Sequence, residues 1–157
     1  MFAIALLAVV MILYAGYNLS IKVSGTYLPP AATTTILATV TLQLAALLAS
    51  GLFAGFLAAR GAQVFSLSPR TYLWAGLAGL CAGGAEIGFF YLLGGVGFAR
   101  PMAASVAIPA VVSGTVVIAL IFSACFLGER IAWNQILGAG LIVLGIVALF
   151  FRGAESP

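Results

Sequence analysis

A carboxylate inside an otherwise apolar run is the residue of this chain with the most chemistry to offer. Glu86 stands 16 positions after Arg70 and 14 before Arg100. On a continuous helix rising about 1.5 Å per residue it lies more than about 20 Å from either charge, near the bilayer midplane. An ionised carboxylate at that depth is costly unless it is paired, hydrated or protonated, so it suits proton exchange or the holding of a cation. At 100° per residue Gly76, Gly79, Gly83, Glu86 and Phe90 share one face about 80° wide, along which another backbone or a substrate can come close. As structure alone, the same Glu is a hydrogen-bonded link across a helix interface.

Two further polar faces accompany it. Tyr14, Tyr17, Asn18 and Lys22 fall within about 140° of arc, although Lys22 can snorkel to the interface and Tyr is common at helix ends. Thr35, Thr39, Gln43 and Ser50 form a stripe in which the hydroxyls can bond back to their own helix, leaving Gln43 to demand an outside partner. Further on, Pro109 has no N–H to give the carbonyl of Ser105, and a carbonyl freed at depth lines a cavity or faces another helix. Ala103, Ala107, Ala110 and Gly114 make a small-residue stripe typical of helix contact. Gly51-xxx-Gly55, Gly79-xxx-Gly83 and Gly84-xxx-Gly88 add close-packing signals, weakly specific in a chain with 19 Gly.

The composition excludes most other chemistry. Of 157 residues 64% are hydrophobic and 6% charged, with a mean hydropathy of +1.28, against about 25% charged in an ordinary soluble domain. That rules out a water-soluble fold, a disordered chain and a nucleic-acid binder, and the net charge of +3 is too scattered for a phosphate-binding surface. There is no His, and the only acids are Glu86, Glu129 and Glu155. Ser-His-Asp triads, paired aspartates, zinc motifs and haem ligation by His are therefore unavailable, and no enzyme activity, metal or cofactor is expected. Cys81 and Cys125 lie in apolar runs without metal or redox spacing and read as small buried hydrophobes.

The elements that must position these residues follow from the charge-free runs, since a spanning helix needs about 20 apolar residues. Five spans are expected: 2 to 21, 32 to 57, 72 to 95, 103 to 126 and 134 to 151. They make an all-α, polytopic membrane protein with one five-helix domain over residues 1–157. Pro29-Pro30 divides the long second run and should start a fresh helix close to Ala31. The first span has no Lys or Arg before its apolar stretch and no small-residue cleavage site, so it reads as a permanent helix rather than a signal peptide. Arg60, Arg70 and Arg130 fall on one side of the membrane and Lys22, Arg100 and Arg152 on the other. This three-to-three tie specifies orientation weakly and leaves open both dual insertion and a single orientation tipped by the α-amino group or by burial of Lys22.

Residues 109 to 149, PAVVSGTVVIALIFSACFLGERIAWNQILGAGLIVLGIVALF, resemble the end of an EamA-type repeat of the drug/metabolite transporter superfamily. The matching features are Pro109 early in one helix, the Leu127-Gly128-Glu129 turn, and a last helix marked by Gly138 and Gly145. YAGYNLSIK at 14 to 22 and the Leu28-Pro29-Pro30 entry to the second helix resemble the start of the same repeat. The Arg usual early in the second helix is replaced by the neighbourhood of Thr33-Thr34-Thr35, and Glu86 is not part of the repeat pattern. The resemblance implies a small-molecule transporter of the bacterial inner membrane, and a single repeat implies a partner, most simply a second copy. Glu129, at the family's turn position, is expected to cap the start of the last helix.

The reading reached is a secondary active transporter of small metabolites or drugs, an exporter working by alternating access as a parallel or antiparallel homodimer. Glu86 would exchange a proton for a cationic or zwitterionic cargo, Tyr14, Tyr17, Asn18 and Gln43 would contact it, and Ser105 and Pro109 would line its path. Its partners would be a small-molecule substrate, membrane lipid and a second copy. The alternative is a non-transporting membrane subunit that stabilises a larger transporter complex, with Glu86 paired to a partner's cation.

Overall fold

Charge-free runs become helices because in hydrocarbon every backbone N–H and C=O must find its partner within its own segment. The structure, a computed structural model, describes residues 2–61 and 65–152. It is all-α, with the order α1 (Phe2–Tyr27), α2 (Ala32–Arg60), α3 (Pro69–Gly94), α4 (Ala104–Phe126) and α5 (Trp133–Arg152). All five helices are long and apolar enough to cross a membrane, which makes the chain a multi-pass membrane protein.

The ends differ from the expected spans in ways the local chemistry explains. The first helix continues past residue 21 to Tyr27 because Lys22 does not interrupt it. The Lys22 ammonium donates to the Leu93 carbonyl at 3.2 Å, placing a cation on the open C-terminal end of α3. Pro29 and Pro30 supply the break, after which Ala31 stands in extended geometry as the N-cap of α2. Ala31 has no capping side chain, and the Thr34 hydroxyl bonds back to the carbonyls of Pro29 and Ala31 instead, at 2.7 and 2.8 Å. At the other end of α2 the Arg60 guanidinium lies 4.5 Å from the Phe56 ring centre, a cation on an aromatic face at the helix C-terminus. The third helix starts three residues earlier than expected, since Ser68 caps it by accepting from the Thr71 N–H and Pro69 occupies the first turn, where no N–H is needed.

The chain divides into two compact units, one running to Pro101 and the other from Met102. In the first, α3 packs on both α1 and α2. Ile21 of α1 and Phe89, Phe90 and Leu93 of α3 are buried. A side chain at Gly25 would meet the Leu93 carbonyl at 3.5 Å and the Gly94 Cα at 3.6 Å, so α1 and α3 approach closely there. Gly25→Ala should therefore be tolerated. Gly25→Leu should wedge the two helices apart, at about 1–3 kcal/mol, readable as earlier unfolding in detergent micelles.

In the second unit α4 and α5 pack together. Glu129 does not cap α5 as expected. Its carboxylate accepts from the Ser123 hydroxyl and its N–H donates to the Ser123 carbonyl, so the residue closes the end of α4 after Gly128 turns the chain at a φ of 66°. The start of α5 is held by Gln135, whose side-chain oxygen accepts from the Ala132 N–H at 2.7 Å.

Few apolar side chains are buried by protein. Trp74 is 65% exposed and Leu80 76%, an arrangement that water would not support and lipid acyl chains satisfy. Cys81 and Cys125 are also exposed rather than buried, because an apolar run in a membrane helix reports the lipid as readily as a protein core.

Candidate functional site

Four of the polar residues singled out by type and spacing meet at one place. A cavity of about 350 Å³ in the first unit is lined by Tyr14 and Tyr17 of α1, Gln43 of α2 and Glu86 of α3. Its other walls are Leu13, Leu42, Ala46 and Ala82, which polarity alone could not have marked. The volume lies at the small end of the range for small-molecule sites, and an apolar lining with a few convergent polar groups is their usual composition.

The helix register accounts for the convergence. Tyr14 and Tyr17 are three residues apart on one face, with ring centres 6.1 Å apart and planes at 81°, edge to face. The hydroxyl stripe on α2 behaves as its chemistry dictates. Thr35 and Thr39 are buried and bond back to Ala31 and Thr35 carbonyls, and Ser50 does the same to Ala46. Gln43 is the member of that stripe that reaches the cavity, its amide nitrogen 3.8 Å from where a side chain on Gly83 would begin. Of the three glycines expected to open the Glu86 face, Gly83 alone provides such an approach, since a Cβ at Gly76 or Gly79 would meet nothing within 4 Å.

Glu86 is half-buried and lies eight residues before the end of α3. Because the helix stops at Gly94, its spacing to Arg100 is not helical. The carboxylate sits about 7 Å from the midpoint of α3, still well inside a hydrocarbon core about 30 Å thick. Its Oε2 and the Tyr17 hydroxyl are both buried, and neither has a hydrogen-bond partner in the chain among the described residues. Two unpartnered polar oxygens on residues that line one apolar cavity are costly, since each forfeits water without a replacement.

Asn18 is buried beside this site and directs its amide to the Tyr14 carbonyl at 2.8 Å, bracing α1 rather than lining the cavity. Ser105 and Pro109 lie on α4, in the second unit.

Two other recesses carry no charged side chain. The larger, about 720 Å³, runs along α2 beside Gly51 and Gly55 and has an entirely apolar lining of Leu, Gly and Phe. Another, about 390 Å³ by the α1–α2 turn, includes Thr34 and Thr41, whose hydroxyls are engaged by backbone carbonyls. No family model, curated protein or solved structure matches the chain.

Proposed function

We propose that the protein is a secondary active transporter of small molecules, in which Glu86 alternates between a proton and a substrate. The observation that carries this reading is the cavity itself. Glu86 and Tyr17 both line an apolar space of ligand size at membrane depth, and each carries a buried oxygen with no hydrogen-bond partner among the described residues. Intramembrane carboxylates of this kind are expensive and belong to ion or substrate pathways by default. A group made only to join helices would have found its partner on the neighbouring helix, and the buried Oε2 of Glu86 has none among the described residues.

The transporter works by alternating access as a homodimer in a bacterial inner membrane, exporting its cargo. The resemblance of residues 109 to 149 to an EamA-type repeat supports that mode, and the balance of Lys and Arg on the two sides supports pairing of the chain with itself, parallel or antiparallel.

The test is proton movement in proteoliposomes with a pH-sensitive dye inside and a panel of amines, amino acids and nucleosides outside. Proton flux evoked by one class of compound is the expected result. Silence across the panel would instead favour a subunit that stabilises another transporter.

A further inference from the structure

The polar groups of the cavity restrict what it can hold. Among its described lining residues there is one acid, Glu86, and no Lys or Arg. A cargo carrying a single positive charge is neutralised there, whereas the carboxylate of a zwitterion would meet no cation and would sit in an apolar wall. The second unpartnered oxygen, Tyr17 Oη, then decides which cation. An ammonium with at least two N–H groups can donate to Glu86 and to Tyr17 together. A quaternary ammonium donates to neither, approaches the carboxylate less closely and leaves the phenol unpartnered. Quaternary ions are held instead by open aromatic faces. The two tyrosines do not offer a clear cage of that kind, because their edge-to-face packing turns the edge of one ring onto the face of the other.

We propose that the cavity between α1, α2 and α3 selects monocationic amines that keep their N–H donors, attached to a small apolar body, over quaternary ammonium ions and zwitterions. This rests on the reading of the cavity as the transport site and narrows its cargo. Gln43 supplies a further acceptor, its amide oxygen, for an amine with a third N–H.

The test is calorimetric binding to the full chain in lipid nanodiscs with three matched probes: 2-phenylethylammonium, its N-trimethyl derivative and phenylalanine. The primary amine should bind at least about tenfold tighter than either of the others, the size of one hydrogen bond to a charged group. In Tyr17→Phe the advantage over the trimethyl ion should shrink several-fold, to the part that the hydrogen bond to Glu86 supplies. A Tyr17 that merely supports the helix pair would weaken both cations alike and leave the ratio unchanged. Equal binding of the two cations, or of phenylalanine and the amine, would overturn the selectivity while leaving a Glu86-dependent site intact. Failure of all three probes to bind would also overturn it, and proton flux evoked by another compound class would then show that the transport reading survives without it.

Discussion

Glu86→Gln is expected to reduce substrate-driven proton flux to the level of empty liposomes, without loosening the fold. Gln keeps the shape of Glu but replaces one acceptor oxygen with an NH2 donor, and it cannot exchange a proton or neutralise a cation. Charge-assisted hydrogen bonds contribute about 1.5–3 kcal/mol, so cation affinity should fall about 10- to 100-fold at the same time. Stability is the discriminating readout. The carboxylate has a buried oxygen with no partner among the described residues, and exchanging a costly ionisable group for a neutral amide should leave the unfolding midpoint in micelles unchanged or raise it. A Glu that served as interhelical glue would show the opposite pattern, with a lower midpoint and flux surviving in the molecules that remain folded. The experiment therefore separates chemistry from architecture in a single variant.

Much of this arrangement is readable from residue types because the bilayer makes the sequence unusually explicit. Apolar runs, the third interrupted by Glu86, give five helices, and the two prolines at 29 and 30 mark the break that hydropathy alone would miss. The faces were legible too. Helical spacing puts Tyr14 beside Tyr17 and singles out Gln43 from hydroxyls that bond to their own backbone. Which faces meet is a different matter, since it depends on the packing of helices through Gly25 and Gly83, and spacing within one helix carries no information about its neighbour. The same gap explains the misplaced roles. Asn18 has a polar side chain on the expected face, yet the Tyr14 carbonyl is within its reach. Glu129 turns back to Ser123 because Gly128 reverses the chain before α5 begins. Helix ends shifted for a related reason: Lys22 donates to a carbonyl 71 residues away.

Gly95→Val should be among the most destabilising single changes outside the cavity, by about 2–4 kcal/mol. Gly95 closes α3 in the left-handed region, φ 74° and ψ 17°, with its N–H on the Tyr91 carbonyl at 2.9 Å. There an L-residue pays a backbone penalty, largest for a β-branched side chain. A collision adds to it. A Cβ at position 95 would stand 2.9 Å from both the backbone nitrogen and the Cγ of Pro101, and neither the chain nor a proline ring moves aside easily. Gly97 supplies the internal control, for it has nearly the same φ, 78°, with nothing within 4 Å of its Cβ position. Asn tolerates the left-handed region, so Gly97→Asn should be close to neutral while Gly95→Asn should still unfold early in micelles. Equal effects of Asn at the two positions would mean that backbone conformation alone governs this turn. A loss confined to position 95 would place the constraint in the contact with Pro101, which fixes the path of the chain as it leaves the helix that carries Glu86.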